Sequence, residues 1–200
     1  DTKLTGKTRI ESDLIGAREI PAEALYGVQT LRGIENFSIS KFRLSEYPLF
    51  IKGLAITKMA AAMANFELGL LTVEQKDAII AACGEIIDGK HHDQFPVDMI
   101  QGGAGTTTNM NANEVIANRA LELMGHERGE YQYCSPNDHV NCSQSTNDAY
   151  PTAIHIGMYF KHLQLLPHLE ELIASFRKKG EEFSQIIKMG RTQLEDAVPM

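Results

Sequence analysis

The chain has 200 residues, of which 43% are hydrophobic, and 19 basic and 26 acidic side chains give it a formal net charge of −7. This length suffices for one or two domains with a core, and the acidic balance argues against nucleic acid, whose binding needs a basic surface. We see no apolar run of membrane-spanning length and no secretory leader, so neither a membrane nor secretion is predicted.

The predicted elements begin with a small hairpin or irregular strand between Ile10 and Ile20. An Ala- and Met-rich stretch from Leu49 to Leu68 then predicts a helix. A second helix is expected after Thr72, because Thr72 and Gln75 match a capping box, in which two side chains satisfy the first backbone N–H groups of a helix.

Two further helices are predicted after polar turns. The first runs from about Asn109 to Met124, and the second runs from Asn147 almost to Lys188. Pro151 falls in the first turn of the second helix, and Pro167 is expected to kink or split it. Leucine, isoleucine and phenylalanine recur along this helix at helical spacing, so we expect that face to be covered by partners outside the sequence or in other subunits.

Three polar segments carry the candidate functional chemistry. They are the glycine–threonine turn at 102–109, the hydroxyl-rich turn at 143–148, and the Gly-Arg-Thr-Gln segment at 190–193. A hydroxyl-rich turn at a helix N-terminus combines unpaired backbone N–H groups with the positive end of the helix dipole, which suits a carboxylate or a phosphate. Two such turns on one chain predict a ligand with two anionic ends.

Each segment also has a structural interpretation. The first turn alone resembles a helix cap, and it lacks the Gly-Lys-Ser/Thr that a P-loop needs. The second turn crowds five polar side chains where a cap needs one, so we favour a binding role there. In the third, Gly190 is interpreted as a helix end and Arg191 as a charge that complements the helix dipole.

Other catalytic patterns do not occur in the sequence. The histidines have no further metal ligands at a suitable spacing, and the cysteines form no Cys-x-x-Cys pair. There is no Gly-x-Ser-x-Gly elbow. The three cysteines are an odd number without a framework spacing, which predicts reduced thiols and a cytoplasmic location.

Taken together, these segments are similar to those of the aspartase/fumarase superfamily of elimination enzymes. The likeness extends from about Ile10 to the last residue, and three ordered motifs at this spacing are highly specific. The Gly-Gly-Ala-Gly-Thr turn, the Asn-Asp-His after Pro136, and Gln193 favour the aspartase branch over the fumarases. The matching stretches are 101–115, 136–141, 143–148 and 190–197.

The resemblance implies a mainly α fold. We expect a small N-terminal lyase domain at 1–141, α-rich with a short β-hairpin, followed at 142–200 by the first long helices of a central helical-bundle domain. Members of the superfamily are longer, so the sequence is interpreted as an N-terminal part. They form homotetramers whose active sites are shared between subunits.

The same resemblance implies an ammonia-lyase that converts L-aspartate to fumarate and ammonia by anti elimination through an aci-carboxylate intermediate. In this resemblance Thr106, Ser145 and Thr146 would bind the β-carboxylate, and Asn147 would contact the amino group or lie beside it. Thr192 and Gln193 would contact the substrate from another subunit. The substrate-binding residues implied by the motifs are Thr106, Ser145, Thr146, Asn147, Thr192 and Gln193.

No catalytic base is assigned in this sequence. In the superfamily the base is a serine on a flexible loop that the 200 residues do not contain, so the isolated chain is expected to be inactive. The resemblance implies no organic cofactor and no metal ligand, and it leaves open activation by a divalent cation such as Mg²⁺. The expected partners are a small dicarboxylate, L-aspartate or fumarate, and further copies of the chain.

Other functions stay open at this point. A fumarase, which adds water to fumarate, has related motifs, although Gln193 and the Gly-Gly-Ala-Gly turn argue against it. A catalytically silent helical module that oligomerises or binds a ligand would retain the same motifs. A plain folding domain with well-capped helices would need no ligand.

Overall fold

The computed structural model describes residues 5–200. These residues form two units, one that ends at Tyr159 and one that runs from Phe160 to Met200. Helix α5 begins in the first unit and ends in the second. The strands are β1 (Thr8–Asp13), β2 (Gly16–Pro21), β3 (Met189–Arg191) and β4 (Asp196–Pro199). The helices are α1 (Val28–Asn36), α2 (Pro48–Glu67), α3 (Val73–Ile87), α4 (Thr106–Leu123) and α5 (Thr146–Phe183).

Helices α2, α3 and α4 form the core of the first unit, since α2 packs against α3 and α3 against α4. Helix α3 is capped as predicted: the Thr72 hydroxyl oxygen accepts from the N–H of Gln75 at 3.2 Å, and Gln75 Oε1 accepts from the N–H of Thr72 at 3.1 Å. Apolar side chains from all three helices are fully buried, among them Ile51, Leu54, Ile79, Ile86, Ile116 and Leu121.

Helix α2 differs from the expectation that no stretch of the sequence is long and apolar enough to span a membrane. By length and composition alone it could cross a membrane, with a mean hydropathy of 1.3 over its most apolar stretch. A core helix has the same composition, and α2 supplies side chains to the core. Its crossing with α5 is close, because a Cβ at Gly53 would lie 2.2 Å from the carbonyl oxygen of Ala153. Only glycine fits there.

A buried carboxylate from α4 anchors the start of α1. Helix α1 has no side-chain cap from its own sequence. Instead, the N–H groups of Gly27, Gln29 and Thr30 donate to Glu114 at 2.8–3.0 Å, and the Thr30 hydroxyl donates to it at 2.5 Å. Glu114 is 1% exposed. Burial raises its pKa, while these hydrogen bonds favour the charged form.

A second carboxylate, that of Glu11, links β1 to the start of α1. Strands β1 and β2 pair antiparallel. Glu11 of β1 is buried and accepts from the N–H of Val28 at 3.1 Å and from the Tyr131 hydroxyl at 2.9 Å. It also forms an ion pair with Arg9 at 2.7 Å. The hairpin and α1 are thereby tied to α4, and this tie holds the N-terminal part of the first unit together.

The predicted mainly α fold with a short β-hairpin is confirmed. Helices α2 and α3 lie where the sequence predicted them. Helix α4 begins at Thr106, before the predicted Asn109, because Gly105 adopts a left-handed conformation with φ 87° and forms its N-cap. Helix α1 and a π-helical turn at Pro136–Val140 were not predicted.

For the last helix, the predicted places of Pro151 and Gly190 are wrong, and of the two alternatives predicted at Pro167 the split is excluded. Helix α5 begins at Thr146, so Pro151 lies in its second turn rather than its first. It passes through Pro167 without being split, in an exposed region where water can satisfy the carbonyl that loses its donor. Gly190 is no helix end, since α5 stops at Phe183 and Gly190 and Arg191 lie in β3.

Within the second unit, the apolar face predicted for α5 is exposed. Its partners, and the domain boundary expected between 141 and 142, stay predictions. The exposed side chains of this face include Leu163, Leu169, Leu172, Ile173, Phe176 and Phe183.

Glu114→Gln is expected to lower the free energy of unfolding by about 2 kcal/mol, because the new amide NH₂ would face backbone N–H donors in a buried site. The control is Glu35→Gln on α1, whose exposed ion pair with Arg18 is worth at most about 1 kcal/mol. Urea unfolding of both variants measures the difference. Equal losses would contradict the anchoring role of Glu114.

Candidate functional site

The first two polar segments lie side by side in the first unit. A Cβ at Gly105, just before α4, would lie 2.4 Å from the ring of Tyr150 on α5. One turn further along α4, Asn109 Nδ2 donates to the hydroxyl oxygen of Thr146, the first residue of α5, at 3.1 Å. The first turns of α4 and α5 are therefore adjacent. Of the N–H groups at these two helix starts, those of Thr106, Thr107 and Thr146 have no hydrogen-bond partner in residues 5–200. The others donate within the chain, among them that of Thr108 to Gln101 and that of Asn147 to Ser145.

Four of the predicted residues carry side chains at these helix starts. Thr106 is exposed, and its hydroxyl has no hydrogen-bond partner within residues 5–200. The Ser145 hydroxyl caps α5 by accepting from the N–H of Asn147 at 3.2 Å. Thr146 is half-buried and Asn147 is exposed. Because Pro151 has no N–H, it also removes the helical donor to the carbonyl of Asn147.

The two remaining predicted residues lie at the turn of the β3–β4 hairpin, in the second unit. The Thr192 hydroxyl donates to the Glu195 carbonyl at 3.0 Å and accepts from the Glu195 N–H at 3.2 Å. Gln193 is exposed in the same turn. Thr192 thus stabilises its own turn, and a substrate contact from Thr192 or Gln193 stays a prediction.

A buried polar cluster supports the start of α5. Asn141 Oδ1 accepts from Lys58 Nζ at 2.9 Å, from Asn109 Nδ2 at 3.0 Å and from Asn113 Nδ2 at 3.2 Å. Lys58 also donates to Gln144 Oε1 at 3.0 Å. The cluster joins α2, α4 and the segment that enters α5, and it contains a fully buried lysine whose hydrogen-bond partners are neutral amides.

Burial changes the protonation of this lysine. Desolvation lowers the pKa of Lys58 to about 7, against a smaller opposite effect of the neighbouring Cys83. Burial also raises the pKa of Cys83 to about 12. Cys83 is therefore a neutral thiol, whereas burial makes the charged form of Lys58 easier to lose than in an exposed lysine.

The loop that precedes α4 is fixed by two polar side chains. Asp98 accepts from the N–H groups of Ile39, Ser40 and Ile100 at 2.7–3.0 Å. Burial alone would raise the pKa of Asp98, but these hydrogen bonds lower it to about 2. Gln101 donates to the Thr108 hydroxyl and accepts from the Thr108 N–H, at 2.7 and 2.8 Å. Gln101, at the start of the glycine turn, is thus hydrogen-bonded to the first turn of α4.

None of the residues of the buried cluster was predicted as a site residue from the sequence. Asn109 and Asn141 lie inside the matching stretches but were not assigned a role. Lys58 is one of two lysines in the apolar stretch of α2, the other being Lys52, so the sequence alone does not single it out. Its partner Asn141 is 83 residues away in the chain, so no local pattern joins them.

A cavity of about 740 Å³ in the first unit borders the start of α4, since Thr107 is one of its lining residues. It contains none of the hydroxyl residues at the starts of α4 and α5 that the motifs predict, and the Arg32–Asp13 pair in its wall is already closed at 2.8 Å. In residues 5–200 no group of three or more His, Cys, Asp or Glu side chains could hold a metal ion. The paired helix starts are therefore the candidate site. The cavity is lined by residues that include Asp13, Arg32, Asn36, Ser135 and Asn137.

Comparison with known proteins identifies the class to which this fold and site belong. The family model described as Lyase matches residues 16–200, so the chain belongs to this lyase family. The chain is 60% identical over 192 residues to an aspartate ammonia-lyase of Pseudomonas canavaninivorans, a match that covers 96% of this chain and 40% of that protein. The predicted membership of the aspartase/fumarase superfamily is confirmed.

Two solved structures share the fold. The structure titled fumarate lyase:delta crystallin from Brucella melitensis bound to cobalt has a TM-score of 0.92 and 54% identity, covering 97% of this chain and 42% of that one. A class II fumarase from Schistosoma mansoni has a TM-score of 0.88 and 39% identity, covering 97% and 41%. The chain spans about two fifths of the length of the curated relatives it matches.

Replacing Lys58 tests its burial. The folded-state pKa of about 7 lies below the unfolded value of 10.5, so between these pH values the unfolded chain binds more protons and stability rises with pH. Lys58→Met is expected to remove this rise. Urea unfolding at several pH values from 7 to 10 would show the wild type gaining stability relative to the variant. Lys41→Met, at an exposed position, is the control, and a constant difference for Lys58→Met would contradict the assignment.

Proposed function

We propose that the protein as a whole is an ammonia-lyase that converts L-aspartate to fumarate and ammonia. The observation that carries this proposal is the pairing of two hydroxyl-bearing helix starts, one with Thr106 and one with Ser145 and Thr146. The relatives named aspartate ammonia-lyase support it, because they match nearly the whole chain at high identity.

The chemistry of the elimination explains the need for such a site. The proton on the carbon beside the β-carboxylate is weakly acidic, and its removal places two negative charges on one carboxylate. Donors arranged in advance stabilise this dianion at little cost of reorganisation. The N–H groups of Thr106, Thr107 and Thr146, which have no partner in residues 5–200, and the adjacent hydroxyls are donors of this kind. The positive ends of the two helix dipoles add to their effect.

In this proposal Thr106, Ser145 and Thr146 bind the β-carboxylate. Asn147 lies at the amino group, where its side-chain oxygen and its carbonyl, which lacks a helical donor, can accept from an ammonium. Thr192 and Gln193 approach from another copy of the chain. The base is a serine on a loop outside this sequence, and inactivity of the 200 residues alone stays a prediction.

The remaining properties proposed for the whole protein follow the superfamily. It forms a homotetramer with shared active sites, works in the cytoplasm and needs no organic cofactor. Activation by a divalent cation such as Mg²⁺ is compatible with this proposal, and the cation would then act without a ligand cluster in residues 5–200.

A fumarase is the second candidate, favoured by the similarity to a class II fumarase. The experiment is to incubate the complete protein separately with L-aspartate and with L-malate, and to follow fumarate by ultraviolet absorbance. We expect fumarate from L-aspartate with ammonia in equal amount. Fumarate from L-malate alone would establish the fumarase, and no product from either would leave a silent binding module.

Ser145→Ala separates ligand binding from helix capping. Loss of the cap should lower the free energy of unfolding by about 1 kcal/mol. Thr72→Ala removes the cap of α3 and is the matched control, with a similar loss of stability. Only Ser145→Ala should also lower kcat/KM, by about tenfold or more, because a hydrogen bond to a charged group is lost as well. Equal kcat/KM values for the two variants would show that Ser145 only caps α5.

A further inference from the structure

The hydroxyl of Thr146 has its hydrogen-bonding direction set by a neighbouring amide. Asn109 Nδ2 lies 3.1 Å from Thr146 Oγ1 and 3.0 Å from Asn141 Oδ1. An amide nitrogen has two protons and accepts none, so each oxygen receives one of them. Thr146 Oγ1 is therefore an acceptor toward Asn109, and its own proton is directed elsewhere.

The orientation of the Asn109 amide is fixed by its surroundings. If it were reversed, its oxygen would face Asn141 Oδ1. Asn141 cannot reverse in compensation, because its Nδ2 donates to the Gln144 carbonyl at 3.1 Å and its Oδ1 receives a proton from Lys58. Lys58 must donate to both Asn141 and Gln144 Oε1, since the Gln144 Nε2 already donates to two backbone carbonyls. Whether charged or neutral, the Lys58 amine has at least two protons, so it can donate to both oxygens.

The proton of Thr146 has no acceptor in the described part of the chain. A threonine inside a helix commonly donates to the carbonyl four residues earlier, but Thr146 is the first residue of α5, so the residue four earlier lies outside the helix. That carbonyl belongs to Cys142, and it already accepts from Asn65 at 2.8 Å and from Gln144 at 3.1 Å. The half-buried hydroxyl thus has a proton available for a ligand.

We propose that Asn109 is a positioning residue that makes the Thr146 hydroxyl an obligatory donor to the carboxylate of the ligand. The identity of that ligand, L-aspartate or fumarate, rests on the proposed function. An ionised carboxylate has only acceptor atoms, so a donor whose direction is fixed in advance favours it. Because charge on the β-carboxylate grows in the transition state, Asn109 acts on kcat more than on KM.

A double-mutant cycle in the complete protein tests this coupling. Asn109→Leu removes the amide without adding a charge, and Thr146→Val removes the hydroxyl while keeping the shape. Each change is expected to lower kcat by about ten- to a hundredfold. If Asn109 acts through Thr146, the double variant is no slower than Thr146→Val alone.

Asn111→Leu is the matched control on the same helix. Asn111 is fully buried and donates to the carbonyl of Gln94 at 3.0 Å, away from Thr146. Its replacement should leave kcat near the wild-type value, and any effect should multiply with that of Thr146→Val. Circular dichroism compares the folding of all variants, and Asn109→Ala replaces Asn109→Leu in the cycle if the latter does not fold.

The outcomes separate this proposal from the proposed function. Multiplicative losses from Asn109→Leu and Thr146→Val, with L-aspartate turned over by the wild type, overturn the positioning role alone. Turnover of L-malate only refutes the ammonia-lyase, and the cycle is then measured with L-malate. If neither substrate reacts, the cycle compares the fumarate affinities of the variants, measured by calorimetry. A wild type that binds no fumarate contradicts both proposals.

Discussion

The side-chain oxygen of Asn141, Oδ1, is the atom on which the candidate site depends. It accepts from Lys58 on α2 and from Asn109 and Asn113 on α4, and Asn141 itself belongs to the segment that enters α5. One oxygen therefore fixes three helices relative to one another within the first unit. The close contact of Gly105 with Tyr150 adds a steric constraint, so the hydroxyl-bearing starts of α4 and α5 are held side by side.

This arrangement lowers the free energy of unfolding of the protein. A buried lysine whose hydrogen-bond partners are neutral amides costs more than an apolar side chain of similar size. The oxygens Oδ1 of Asn109, Asn111 and Asn113 are also buried without a hydrogen-bond partner in residues 5–200. A core selected only for stability would carry apolar side chains at these positions. An anion site, in contrast, needs polar groups behind the donors that contact the anion, because these groups fix the direction in which each donor points.

The sequence predicted what depends on neighbouring residues. The capping box of Thr72 and Gln75, the hairpin and the hydroxyl-rich turns are local patterns, and all appear in the structure. Helix α1 was missed because its cap comes from Glu114, more than eighty residues away. The Lys58–Asn141 contact was missed for the same reason, since a single sequence does not reveal contacts between distant residues. The hairpin that contains Gly190 was misread because glycine ends helices and also occupies turns and strands.

The most direct test of the account is a crystal structure of the complete protein with fumarate. One carboxylate is expected at the starts of α4 and α5, with an oxygen about 3 Å from the Thr146 hydroxyl and from the Thr106 hydroxyl. Asn109 Nδ2 would keep its hydrogen bond to Thr146 Oγ1. Fumarate bound only in the cavity beside Arg32, with both hydroxyls uncontacted, would contradict the account.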